Sequence, residues 1–181
     1  QITSENWFEI LSRPNVQVKA ANPFHDPCGY WTELCWKLSD MHYGTASAGP
    51  SIYERMTIKC GAPANRRTDA QKLLQLVEAT GGIDYAFVYR SQALQHNLPF
   101  VQMPPQVGMG DPDHVEHYRQ MTIELLNSNG QPYRKQGDTI LFAITIPKTV
   151  RNAELATKYV SFIIGLKGRK ILERQQIKVV D

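Results

Sequence analysis

Cysteine, surplus charge and long apolar runs are all scarce in this chain of 181 residues. Its 20 basic residues exceed its 17 acidic residues by only 3, a surplus too weak for a dedicated nucleic-acid-binding protein. No uninterrupted apolar run reaches the roughly 18 residues of a membrane span, so we expect at most a peripheral contact with a membrane. The amino end shows no signal-peptide pattern, and any export signal is expected upstream of it.

The three cysteines, Cys28, Cys35 and Cys60, have neither CxxC nor zinc-finger spacing, which excludes a disulfide scaffold. On one helix, Cys28 and Cys35 would lie about 10 Å apart along the axis and could not bridge each other. Any internal disulfide must therefore use Cys60. We expect Cys35 as its partner, because Cys28 lies in the turn described below; the alternative is three buried or free thiols.

Motifs of catalytic sites are also missing. The chain contains no GxSxG, no GxxxxGK and no HExxH, and no histidine has an obvious cysteine nucleophile as a partner. No catalytic set therefore stands out in the sequence, and we expect no cofactor.

Strand and helix signals alternate along the chain. Alternation or short apolar runs predict strands at 16–20, 83–89, 117–126 and 139–146, and the last signal is the strongest. Helical patterns begin after Ser4, at Gly29, near Thr68, at 91–96, after Asn152 and at 168–174. Small and turn-forming residues predict loops at 44–50 and 99–113. This order indicates an α/β fold, a mixed or parallel sheet with helices on both faces.

The richest chemistry lies in residues 22–30, NPFHDPCGY. Two prolines fix the backbone around Asp26, and a helix beginning near Gly29 would offer unpaired amides next to it. The amides of Cys28 and Gly29 and the helix dipole would suit an oxyanion. A bare carboxylate repels an anion, so Asp26 either shares a proton or a coordination bond with the ligand or simply caps the helix.

Two groups of side chains could hold a metal instead. Asp111, Asp113, His114, Glu116 and His117 supply hard or borderline ligands in DPDHVEHY, although such clusters are usually acidic surface loops and the HxxH spacing is not diagnostic. A second set, His25 with Asp26 and Cys28, has poor spacing for convergent ligation. The basic carboxyl-terminal residues 148–181 are interpreted as the solvated face of a docked helix.

Four segments together resemble one protein family. NWFEIL, NPFHDPCGY, GGIDYAFVYRSQALQHNLPFVQMP and TILFAITIPKTVRNAELATKYVSFIIGLKGRKILE are similar, in this order and spacing, to the tungstate/molybdate-binding periplasmic proteins of oxyanion ABC importers. The resemblance covers most of the chain outside 44–66. It implies a type 2 periplasmic-binding-protein fold, represented here mainly by the second lobe and the carboxyl-terminal return, without the amino-terminal part.

The resemblance assigns roles to individual residues. Asp26 matches the family's ligating aspartate, and the amide of Cys28 falls where a small residue donates to the oxyanion. Val88 stands in the place of a coordinating glutamate, Phe142 in the place of a donating tyrosine, and Trp31 in the place of an arginine. The loss of a carboxylate and a hydroxyl implies weak tungstate binding by this chain.

These observations lead to one prediction with two alternatives. We expect a main α/β lobe at 1–98, a crossing segment and edge strand at 99–138, and a return strand with helices at 139–181. The expected function is capture of tungstate, molybdate or another small anion for an ABC permease, in the periplasm or outside the cell. The alternatives are a divalent-metal site at Asp26 and His25, or an interaction module that kept the fold and lost its ligand.

Overall fold

A computed structural model describes residues 1–44, 49–79, 81–127, 129–175, 177 and 179. The chain divides into two compact units. The first unit comprises Gln1–Tyr89 and Phe100–Ile140, and the second comprises Arg90–Pro99 and Leu141–Asp181. The boundaries at 98 and 138 stay a prediction, and residues 45–48 of the predicted 44–50 loop lie outside the described residues.

Helices dominate the regular structure of the described residues. They are α1 (Trp7–Leu11), α2 (Pro27–Tyr43), α3 (Ile52–Cys60), α4 (Ala70–Glu78), α5 (Arg90–Gln95), α6 (Pro105–Gly108), α7 (Val115–Tyr118), α8 (Ala153–Ile164) and α9 (Leu166–Arg174). Short 3-10 turns cover Pro63–Asn65 and Pro112–His114. The strands are β1 (Val18–Lys19), β2 (Tyr85–Ala86), β3 (Thr122–Leu126) and β4 (Pro132–Gln136).

The strands form two small sheets within the first unit. β1 pairs in parallel with β2, with Val18 opposite Tyr85. β3 and β4 form an antiparallel hairpin, with Thr122 opposite Gln136. Parallel and antiparallel pairs flanked by helices confirm the α/β class, although the predicted strands 16–20 and 83–89 shrink to two residues each.

The prediction of a strand at 139–146 is wrong. In the described part of the chain this segment joins no sheet. Three of its apolar side chains are exposed, Leu141 at 61%, Phe142 at 67% and Ile144 at 44%. A short apolar run makes a strand only where a neighbouring strand completes it. In the described residues Ile140 packs against the cluster that contains Leu34 and its amide donates to the Met109 carbonyl, but no strand pairs with the residues that follow.

Several other boundaries differ from the sequence prediction. α2 begins at Pro27, two residues before Gly29, because Asp26 caps it and proline suits the first helical position. The start of the predicted strand 117–126 is occupied by α7, and α4 ends at Glu78 before the double glycine. α8 begins after Asn152, whose side chain accepts from the Leu155 amide, as predicted.

α3 and β4 were missed by the sequence analysis, and so was α6, which lies within the predicted loop 99–113. α3 begins with a capping box, in which the Ser51 side chain accepts from the Glu54 amide and the Glu54 side chain accepts from the Ser51 amide. The motif Ser-x-x-Glu before an apolar residue would have indicated this start. β4 is polar and mostly exposed, so it carries no apolar alternation that could have revealed it.

The buried residues of the first unit form three apolar clusters, and α2 contributes to each. Trp36 packs with Trp7, Ile52 and Met56. Leu34 and Leu38 pack with Val107, Tyr118, Ile123 and Leu125. Cys28 packs with Ala21, Ala70 and Leu73. Because one helix joins all three clusters, α2 is the element on which the packing of this unit depends most.

All three cysteines are buried and free, which confirms the alternative of three thiols over the expected bridge from Cys60 to Cys35. Cys35 lies in the cluster that contains Leu34 and Leu38, whereas Cys60 lies in the cluster that contains Trp36. The two thiols therefore point into different parts of the core.

Within the part of the chain that the structure describes, no helix is both long enough and apolar enough to cross a membrane.

Candidate functional site

Asn22 organises the turn that carries the candidate site. Its side-chain oxygen accepts from the Phe24 amide at 2.8 Å, and its side-chain nitrogen donates to the Arg66 carbonyl at 2.7 Å. Its backbone amide donates to the Thr68 carbonyl at 2.8 Å, and its carbonyl accepts from the Asp26 amide at 2.9 Å. The bonds to Arg66 and Thr68 join the turn to the segment that leads into α4. The two side-chain bonds also satisfy the buried amide side chain of Asn22, which would otherwise lack partners for its polar atoms.

The Asp26 carboxylate lies where the amino ends of α2 and α4 meet. One of its oxygens accepts from the Cys28 amide at 2.8 Å. The other accepts from the Ala70 amide, at the start of α4, at 2.7 Å. The capping alternative for Asp26 is thus confirmed, and this carboxylate satisfies orphan amides of two helices rather than one.

Both amides that were expected to face an anion have a partner within the turn. The Cys28 amide donates to the Asp26 carboxylate, and the Gly29 amide donates to the Asp26 carbonyl at 2.9 Å. An oxyanion that reaches the Cys28 amide must therefore take the place of the carboxylate or share it. The ligand-binding roles of Asp26, Cys28 and Gly29 stay predictions.

Gly29 allows two backbone segments to approach closely. A Cβ atom at this position would lie 2.6 Å from the Asn22 carbonyl carbon and from the Pro23 nitrogen, and 2.7 Å from the Ala21 oxygen. Real Cβ contacts are not this short, so any side chain here would push the turn away from α2. Glycine is needed at this position for the packing of the turn on the helix.

The Cys28 thiol is buried and neutral. Its side chain is 3% exposed, and its Sγ donates to the Phe87 carbonyl at 3.5 Å. Burial raises the pKa of Cys28 to about 12, and the negative charge of Asp26 adds to the rise. Burial thus disfavours the thiolate, which is the form of cysteine that ligates metals.

Val88 and Tyr89 lie close to this turn. Both pack, partly buried, against the cluster that contains Cys28, Ala70 and Leu73. Burial raises the pKa of Tyr89, with smaller contributions from Cys28 and then Asp26, which places its phenol in the electrostatic reach of the turn. Sequence reasoning missed Tyr89, although it directly follows Val88 in DYAFVYRS.

Phe142 belongs to the second unit, where 67% of its side chain is exposed. Its assignment to the ligand site stays a prediction.

The candidate metal ligands are not brought together. Among the residues that the structure describes, no group of three or more His, Cys, Asp or Glu side chains is arranged to hold a metal ion. His25 is exposed. His114 lies 3.4 Å from the Asp111 carboxylate, whereas the Glu116 carboxylate pairs with Arg119 at 2.7 Å and so turns to another partner.

A cavity of about 500 Å³ lies in the first unit, with Pro23 of the turn in its lining. Its lining includes Glu33, Lys37, Tyr53, Glu124 and Arg134 but not Asp26. Glu33 is held by a buried ion pair with Arg66 at 2.5 Å. The mixed charges of this lining favour no single class of ligand.

A family model described as bacterial extracellular solute-binding protein matches residues 2–175. The chain belongs to this family. It is similar to a solute-binding protein of Petrotoga mobilis, with 34% identity over 96% of this chain and 52% of the relative. It is also similar to the molybdate/tungstate-binding proteins WtpA of Thermococcus kodakarensis, with 32% identity over 92% of this chain and 50% of the relative, and of Pyrococcus abyssi, with 31% identity over 92% and 52%.

The resemblance to oxyanion-binding proteins is thereby confirmed at the level of the family. The chain spans about half the length of the relatives it matches. Membership of a solute-binding family indicates a binding function.

Proposed function

We propose that this chain is part of an extracytoplasmic solute-binding protein that captures a small oxyanion of the tungstate/molybdate class for uptake by an ABC permease. The observation that carries the proposal is the convergence of the α2 and α4 amino ends on Asp26, in a family of solute-binding proteins. Two relatives are named for molybdate and tungstate, which supports this ligand class. The proposal includes a periplasmic or extracellular location and no catalytic activity.

The proposed site acts through backbone donors and one carboxylate. Amides at helix amino ends are fixed donors with a favourable dipole, so they cost little reorganisation when an anion arrives. In the proposed bound state, the Asp26 carboxylate gives up the Cys28 amide and turns toward the metal centre of the oxyanion. Val88 adds no polar atom, so the affinity of this chain for tungstate is expected to be weak.

A specific observation favours one alternative, an interaction module that kept the fold and lost its ligand. The amides of Cys28 and Ala70 are already satisfied by Asp26, and Val88 is apolar, as expected of an interaction module that has lost its ligand. A cation at Asp26 and His25 has no third ligand beside it in the described residues.

Calorimetric titration with sodium tungstate tests the proposal. We expect weak but saturable binding by the wild type, and tighter binding by Val88→Glu, alone or with Phe142→Tyr, because the added carboxylate restores a second ligand for the metal centre. Val16→Glu is the matched control, since Val16 is also a partly buried valine but packs against the Trp36 cluster. If neither the wild type nor any variant shows a heat of binding with tungstate, the result would favour the alternative of an interaction module that has lost its ligand.

A further inference from the structure

We propose that Lys135 is a specificity-determining residue of the Asp26 site, a cation held on an aromatic platform that favours a doubly charged oxyanion over a singly charged one. The platform consists of Tyr30 and Trp31 in the first turns of α2. This inference rests on the proposed function, because it assigns a role in the same anion site.

The platform lies on the same part of α2 as Asp26. Tyr30 follows the helix cap by four residues, and residues four apart on a helix are neighbours on one face. Burial, the Tyr133 phenol and then the Asp26 carboxylate raise the pKa of Tyr30, in agreement with a short separation between these groups. The Tyr30 and Trp31 rings pack against each other at 5.1 Å between centroids.

Lys135 is held over this platform by both rings. Its Nζ lies 4.8 Å from the centroid of Trp31 and 5.5 Å from that of Tyr30. Both distances are within the about 6 Å range of a cation–π contact. Contact with two aromatic rings holds the ammonium in place without neutralising its charge. The positive charge can therefore still attract a nearby anion.

The β3–β4 hairpin presents Lys135 to α2 rather than to solvent. Lys135 is directly opposite Ile123, and opposite residues of an antiparallel pair share one face of the sheet. Ile123 is only 6% exposed and packs in the cluster that contains Leu34 and Leu38 of α2. Of the five residues of β4, only Lys135 is partly buried.

A second lysine ties the hairpin to the same helix. The Nζ of Lys37, on α2, donates to the carbonyl of Thr122, at the start of β3, at 2.8 Å. The packing of the hairpin therefore sets the backbone position from which Lys135 reaches the two rings.

The positive charge of Lys135 offsets the repulsion between the Asp26 carboxylate and an incoming anion. The Asp26 carboxylate repels an incoming anion, and it repels a dianion about twice as strongly as a monoanion. A cation held over Tyr30 and Trp31, in the first turns of α2, attracts the dianion about twice as strongly as the monoanion, by the same law. Removing this cation should thus weaken dianion binding more than monoanion binding.

The test uses two tetrahedral anions of similar size, tungstate with two charges and perrhenate with one. Dissociation constants are measured for the wild-type chain, Lys135→Met, Lys135→Arg and Lys59→Met. Lys59→Met is the matched control, because it removes the same charge from the same unit, where Nζ donates to the Arg13 carbonyl at 2.6 Å. Thermal unfolding of each variant reports folding separately.

We expect tungstate affinity to fall three- to tenfold in Lys135→Met, with a smaller fall for perrhenate, so that the affinity ratio of the two anions decreases. Lys135→Arg and Lys59→Met should keep the wild-type ratio. An unchanged ratio in Lys135→Met, beside measurable tungstate binding by the wild type, overturns this inference and leaves the proposed function intact. If the wild-type chain binds neither tungstate nor perrhenate, both this inference and the proposed function are overturned.

Discussion

The Asp26 turn and the 141–146 segment both carry clear sequence signals, yet their surroundings differ. At the turn, Asn22 and Asp26 join three backbone segments by hydrogen bonds, and Cys28 is buried beneath them. In the segment, Leu141 and Phe142 are more than half exposed. The two regions show that a local pattern becomes defined structure only where tertiary contacts complete it.

The same contrast separates the helices of the two units. The buried residues of α2 extend from Cys28 to Ser39, whereas α8 has no buried residue although it is more apolar on average. Leu155, Tyr159 and Phe162 of α8 are exposed at 63%, 59% and 45%. A segment can therefore form a helix without the buried contacts through which a helix stabilises the fold.

Gly29→Ala tests the turn most severely. A Cβ within 2.7 Å of three backbone atoms must displace the turn from α2. We expect the free energy of unfolding of the first unit to fall by about 3 kcal/mol. Urea unfolding followed by tryptophan fluorescence measures this unit, because Trp7, Trp31 and Trp36 all belong to it.

Gly110→Ala is the control for that substitution. A Cβ at Gly110 meets no atom within 4 Å, so the change should stay within about 0.5 kcal/mol. Equal effects of the two substitutions would mean that the close approach at Gly29 does not exist.

Truncation of one leucine in each unit sharpens the comparison of the helices. Leu34 of α2 is 0% exposed and Leu155 of α8 is 63% exposed. Leu34→Ala should cost about 3 kcal/mol, whereas Leu155→Ala should cost less than about 0.5 kcal/mol. Thermal and urea unfolding by circular dichroism measure both, and a large cost at Leu155 would contradict the view that α8 is unburied.

Alkaline pH should weaken the first unit through its buried thiols. Burial raises the pKa of Cys28, Cys35 and Cys60 from 9.0 to about 12. Above pH 9 the unfolded thiols ionise while the folded ones stay neutral, so stability is full below that pH and declines as the pH rises toward 12.

Between pH 7.5 and pH 9.5 we expect a loss of about 2 kcal/mol for the three thiols together. Urea unfolding at the two pH values measures it, and Cys35→Ala should remove about a third of the loss. A stability that does not change over this range would contradict the burial of the thiols.

Removal of the Asp26 side chain compares the caps of the two units. Asp26→Ala should cost about 2 kcal/mol, since it leaves the Cys28 and Ala70 amides without their acceptor. Asn152→Ala, which removes an exposed cap of α8, should cost about 1 kcal/mol or less. Thermal unfolding distinguishes them, and a smaller effect at Asp26 would exclude the double cap.

The sequence predicted what short-range chemistry decides. Pro27 and Asp26 fixed the start of α2 to within two residues, and Asn152 fixed that of α8. The bond from Ala70 to Asp26 spans 44 positions and leaves no local signature. The candidate site could be placed at Asp26 from the sequence, but the contacts of Asp26 with the second helix end and the packing of Tyr89 depend on long-range contacts that no single segment encodes.

The central claim is that the Asp26 turn receives a small oxyanion. Titration of the ¹⁵N-labelled chain with sodium tungstate, followed by amide NMR, tests it most directly. The account predicts saturable shifts of the Cys28, Gly29 and Ala70 amides, which Asp26→Ala abolishes or redistributes. Shifts confined to other regions, or none at millimolar tungstate, would contradict it.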